Sequence, residues 1–108
     1  MRVSICNMDW NSLSNAEIII ELGQRIKIIR LKKRLTQQEL ASRSGVSLFT
    51  IAQLEKGKPV SLSTLTAVLR VLRLLENFEI LLPEIEASPI EIMKLQENKT
   101  KRIRKKNK

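Results

Sequence analysis

The chain has 108 residues, a net charge of +9, 43% apolar and only 3% aromatic residues, one cysteine and no histidine. A lone thiol gives no intrachain disulfide, and without imidazoles neither a His- or Cys-based metal site nor a His-assisted enzyme is expected. The positive surplus points to a polyanionic partner, and the scarcity of aromatics argues against a stacking platform for single strands.

Residues 1–14 carry no sustained periodicity and read as a loosely ordered lead-in. Arg2 is followed by no apolar signal segment, Met8 is a second candidate start beside Met1, and Cys6 fits a reducing cytoplasm. Ser14 or Asn15 can cap a first helix to about Lys33. Ile18, Leu22, Ile26 and Ile29 recur along it at helical spacing, with Glu21, Arg25 and Lys32 on other faces. Thr36-Gln37-Gln38-Glu39 has the form of a capping box, and a second helix runs from it to about Ser44, where Gly45 can take the left-handed conformation. Ser47 can cap a third helix, Leu48 to Lys56, ended by Gly57. Ser61 can cap a fourth, with Leu65, Val68, Leu69 and Leu72 on one stripe. Glu76 to Leu82 reads as a short fifth helix stopped by Pro83. Ser88-Pro89-Ile90-Glu91 is another start signal, for a short helix to about Gln96.

Charge is unevenly placed. Between Gln24 and Lys58 stand nine Lys and Arg against two Glu; between Glu76 and Glu97, six Glu against Lys94. The last ten residues add Lys99, Lys101, Arg102, Arg104, Lys105, Lys106 and Lys108 with no acid, and read as a disordered, non-specific basic tail. The expected fold is all-α. A five-helix repressor-type bundle fills 15–83, an extension with a short helix fills 84–98, and the tail fills 99–108.

Two short helices joined by a three-residue turn containing Gly, in a basic setting, have the form of a DNA-reading helix-turn-helix. Leu40, Ala41, Val46, Ile51 and Leu54 should face inward, which leaves Leu48, Phe49, Ala52, Gln53 and Lys56 on the outer stripe of the third helix. The amino end of the second helix, at Gln37, offers amides and a partial positive charge to a phosphate.

Leu35-Thr36-Gln37-Gln38-Glu39-Leu40-Ala41, Gly45-Val46-Ser47 and Thr50-Ile51-Ala52-Gln53-Leu54-Glu55-Lys56-Gly57 resemble the Cro/phage-repressor, or xenobiotic-response-element, helix-turn-helix family over about Leu22 to Leu82. The resemblance implies base reading by Leu48, Phe49 and Gln53. It implies backbone contacts from Gln37, Ser47, Thr50, Lys56 and Lys58, and a structural salt bridge between Arg30 and Glu55. Members commonly carry polar or basic side chains where Leu48 and Phe49 stand, and these two offer a thymine methyl contact but no bidentate hydrogen bond. Met8-Asp9-Trp10, Leu13-Ser14-Asn15, Val60-Ser61-Leu62-Ser63-Thr64-Leu65, Leu81-Leu82-Pro83-Glu84 and Ser88-Pro89-Ile90-Glu91 further resemble HipB-like regulators. That subgroup implies an antitoxin that represses its own operon as a homodimer on a palindromic operator and binds a HipA-like kinase toxin. Neither a cofactor nor a membrane is implied. Two other readings stand beside it: a protein-interaction antitoxin or adaptor with weakened DNA reading, and a stand-alone phage-type repressor. Leu74, Leu75, Phe78, Leu81 and Leu82 exceed what one short helix needs for its own core and are the candidate dimer surface.

Overall fold

The computed structural model describes residues 8–85 and 89–106, with side chains as far as residue 98. Among the described residues every regular element is helical. A 3₁₀ turn at Trp10–Ser12 precedes α1 (Asn15–Lys32), α2 (Gln37–Ser44), α3 (Leu48–Glu55), α4 (Leu62–Val71), α5 (Asn77–Leu81) and α6 (Pro89–Lys106). The chain divides into a unit that ends at Asn77 and another that starts at Phe78. None of these helices is long and apolar enough to cross a membrane.

Local chemistry sets each boundary in the first unit. Ser14, Thr36, Ser47 and Ser61 sit in extended backbone, and each hydroxyl accepts from the amide three residues on. At Ser14 and Thr36, Glu17 and Glu39 return the bond, which completes two capping boxes. The carboxyl ends share one solution, in which a residue with positive φ lets two amides bond back to the last turn. Gly45 and Gly57 take that position after α2 and α3, Arg34 (φ 58°) and Arg73 (φ 60°) after α1 and α4. Leu35 N thus donates to Arg30 O, and Leu74 N to Leu69 O. A left-handed arginine costs about 1–2 kcal/mol that glycine would not.

The core comprises Ile26, Leu35, Leu40, Ala41, Ile51, Leu54, Val68 and Leu72, with Val46, Leu65, Leu69 and Leu74 packed against it. It is drawn from α1–α4 and the adjoining turns. Of the expected stripe on α1, Ile26 is buried, Ile29 packs on the core and Ile18 is half-buried, but Leu22 is exposed, and Gly23 and Arg30 are buried beside them. Hydrophobic spacing erred at Leu22 because a glycine and an arginine share the inward face. At Gly23 a Cβ would lie 2.3 Å from the Leu54 carbonyl oxygen and 3.2 Å from the Gly57 amide, so α1 and α3 meet there backbone to backbone.

Two further expectations are corrected. Glu21 is buried rather than on an outer face, and is bonded to Arg25 Nε at 2.9 Å. Residues 8–14 are not loose. Asp9 accepts from the Asn11 amide, the Arg25 guanidinium stacks over Trp10 at 4.8 Å, and Arg25 Nη2 approaches Met8 Sδ at 3.9 Å. Aromatic and cation at this distance attract one another, and the pair fastens the lead-in to α1.

In the second unit α6 continues to Lys106 instead of stopping near Gln96. No Gly or Pro follows Pro89, and Lys, Arg, Glu and Gln all lose little in a helix. The backbone expected as a disordered tail is therefore helical through Lys106. The side chains of Lys99, Lys101, Arg102, Arg104, Lys105, Lys106 and Lys108 lie outside the described residues, as do Met1, Cys6 and Ser88.

Candidate nucleic-acid interface

The helical period of α3 separates two sets of side chains. Ile51, Leu54 and Glu55 are buried, while Leu48 and Phe49 are exposed, Phe49 to 72%. Ala52 and Gln53 are half-buried and Lys56 is exposed. Residues three and four apart lie side by side on a helix, so Leu48, Phe49, Ala52, Gln53 and Lys56 form one outward stripe. A helix about 10–12 Å across with its side chains fits the major groove.

A buried bidentate ion pair fixes how α3 is held. Arg30 on α1 donates from Nε to Glu55 Oε2 at 2.6 Å and from Nη2 to Glu55 Oε1 at 3.0 Å. The two side chains are 6% and 2% exposed. The remaining guanidinium nitrogen, Nη1, donates to the Leu35 carbonyl at 2.6 Å, and Gln37 Nε2 donates to Glu55 Oε1 at 3.0 Å. Arg30 thereby ties the end of α3 to the turn that precedes α2, and Gln37 ties in the first residue of α2. No buried side-chain nitrogen or oxygen among the described residues lacks a partner. A satisfied network of this kind is rigid, which keeps the outward stripe at a fixed angle to α2.

The other sites expected on the DNA side lie at the helix ends. Ser47 and Thr50 share a hydroxyl contact of 2.7 Å, and Ser47 Oγ accepts from the Thr50 amide at 3.1 Å. Thr50 and Gln37 are half-buried, whereas Ser47, Lys56 and Lys58 are exposed. The two elements that sequence reasoning missed here are Gly23, which sets the α1–α3 spacing, and the Gln37–Glu55 bond. A glycine within an amphipathic helix was the available signal for the first. Nothing in the spacing indicated the second.

The amino end of α2 also responds to acid. The Glu39 carboxylate accepts from the Thr36 amide at 3.0 Å, and that bond, followed by its contact with the Thr36 side chain, holds its pKa below 4.5. Glu17 is lowered in the same way by Ser14, backbone bond first. A depressed folded-state pKa gives stability that is complete above the unfolded value and lost as pH falls through the folded one. Acid melts should therefore weaken below about pH 4.5, and Glu39→Gln should flatten part of that limb. An acid limb identical in the variant would show that the box adds no pH-dependent stability.

Among the described residues no cluster of three or more His, Cys, Asp or Glu is placed to hold a metal. Residues 26–76 match the helix-turn-helix family model. The chain is 36% identical over 80 residues to a relative named "Uncharacterized HTH-type transcriptional regulator RghRB", from Bacillus subtilis (strain 168). The match takes in 69% of this chain and 56% of the relative, so the chain spans little more than half that protein's length.

Proposed function

From a helix-turn-helix domain at residues 26–76, we propose that the chain is a sequence-specific DNA-binding repressor of transcription. It works in the bacterial cytoplasm, at the nucleoid, and binds a palindromic operator as a homodimer, since one recognition helix reads only a few base pairs. The observation that carries this reading is α3, clamped by Arg30 through Glu55 with Leu48, Phe49 and Gln53 on its open side. Leu48 and Phe49 meet thymine methyls, Gln53 makes the polar base contact, and Gln37, Ser47, Thr50, Lys56 and Lys58 engage the backbone. The basic tail from Lys99 to Lys108 adds salt-sensitive affinity. The outer motifs shared with HipB-like regulators support a finer assignment, the antitoxin of an operon that encodes a HipA-like kinase toxin.

A second reading draws on the 72% exposure of Phe49. Leu48 and Phe49 together are an apolar patch at the amino end of the reading face, and such patches also serve as protein contacts. A gel shift on the DNA upstream of the gene separates the two. Loss of a bidentate base contact in Gln53→Ala should weaken operator binding by about five- to hundredfold, with Phe49→Ala also weaker. If both variants bind DNA normally and Phe49→Ala abolishes co-purification with the neighbouring gene product, the protein-contact reading replaces base reading.

A further inference from the structure

One face of α1 turns large apolar side chains outward. Ile20 (44%), Ile28 (53%) and Leu31 (54%) are exposed. At about 100° per residue they fall, with Gln24 among them, inside an arc of about 80°. Gly23, Ile26 and Arg30, the buried positions of the same helix, lie outside that arc. Apolar side chains clustered on one exposed helix face mark a contact surface. At its amino end this face opens into a cleft of about 470 Å³ lined by Met8, Leu13, Glu17, Ile20, Glu21 and Gln24. Charge divides the helix about Gln24: Glu17 and Glu21 precede it, and Lys27 and Lys32 follow. Arg25, between the two halves, is bonded to Glu21.

We infer that this face of α1 pairs with the same face of a second copy, antiparallel, with the two-fold axis at Gln24. This rests on the homodimer proposed above and gives it a surface. In that register Ile20 lies level with the other copy's Ile28. The other copy's Leu31 comes level with Glu17 and fills the cleft between Leu13 and Ile20. The axis runs between the helices, perpendicular to both, so it sets like edges side by side. Glu17 and Lys32 share an edge, and the other copy's Lys32 falls within one residue's rise of Glu17. The Ser14 amide takes Glu17 Oε1 at 2.9 Å, which leaves Oε2 for that lysine. A parallel pair would instead gather Lys32, Lys33 and Arg34 of both copies at one end, where like charges repel. The same symmetry bears on DNA. α3 meets α1 at Gly23, one residue and so about 100° round the helix from Gln24. Both copies therefore carry α3 on the same side of the pair, as two half-sites on one duplex require.

Cysteine cross-linking in the full chain tests orientation and register together. Cys6→Ser removes the native thiol. Gln24→Cys in that background should give an interchain disulfide under mild oxidation. Leu31→Cys should not, because the two positions would lie about 21 Å apart along the pair at about 1.5 Å per residue. Ile28→Glu with Leu31→Glu should halve the mass seen by light scattering and leave the far-ultraviolet circular dichroism unchanged, since both side chains are exposed. Cross-linking at Leu31→Cys as efficient as at Gln24→Cys overturns the antiparallel register. A dimer that neither cross-links at Gln24→Cys nor responds to the double Glu variant keeps the homodimer and removes α1 from it. A strict monomer at micromolar concentration overturns both.

Discussion

Glu55→Ala should remove most of the first unit's stability. The substitution leaves the Arg30 guanidinium, 6% exposed, with the Leu35 carbonyl as its one remaining partner in this network, and deprives Gln37 of its acceptor. Breaking one side of a buried pair costs about 3–5 kcal/mol, because a charge is stranded away from water. Domains of this size hold only about 5–15 kcal/mol in total. A urea titration should show the midpoint collapse and DNA binding fall with it. Removing both charges is a different experiment. Arg30→Met with Glu55→Leu takes away the desolvation cost along with the attraction, and should recover much of the lost stability. If the double variant is as unstable as Glu55→Ala, the pair's role is the hydrogen bonding to Leu35 and Gln37 rather than charge compensation.

Gly23→Ala should destabilise the protein although alanine is the better helix former. Propensity alone favours the change by about 1 kcal/mol. The new Cβ would lie 2.3 Å from the Leu54 carbonyl oxygen, a backbone atom that cannot rotate aside. Forcing atoms into a packed contact costs about 1–3 kcal/mol, enough to outweigh the propensity gain at the upper end. A fall in melting temperature is expected, at about 4–8 °C for each net kcal/mol. The displaced element is the end of α3 that carries Glu55, so DNA affinity should drop more than stability alone predicts. Leu22→Ala, on the exposed neighbour, is the control and should change little. A more stable Gly23→Ala protein would show that α1 and α3 can separate without loss.

How much of this was readable from the residues depends on which force sets each feature. The starts and ends of α2 and α3 were legible, since Thr36, Ser47, Gly45 and Gly57 are the side chains those positions demand. The ends of α1 and α4 adopt the same turn with Arg34 and Arg73, residue types that carry no such signal. On α1 the expected Arg30–Glu55 pair is present and Ile26 is buried, but Leu22 is exposed, and the inward place of Gly23, a residue with no side chain to bury, carries no hydrophobic signal. Burial of Glu21 beneath a docked lead-in could not be read from a segment without periodicity. The outward stripe of α3 followed from helical spacing. The Gln37–Glu55 bond did not, because it is tertiary: it joins the first turn of α2 to the last turn of α3.

The alternation along α3 has a consequence for descent with modification. Everything that seats the helix, Ile51, Leu54, Glu55 and the Gly57 turn, lies on one side or at one end, while Phe49 contributes almost nothing to the interior. A lineage can therefore exchange residues 48 and 49 without first acquiring compensating changes in the core. Gly45 is nearly as free: no atom lies within 4 Å of where its Cβ would be, so Asn can succeed it at a small conformational cost. Gly57 is not, because a Cβ there would meet Ile20 Cα at 2.7 Å. On the proposed DNA-reading role, new specificities are thus accessible by single substitutions at the front of α3, and the rear of the same helix is where inheritance should be strict.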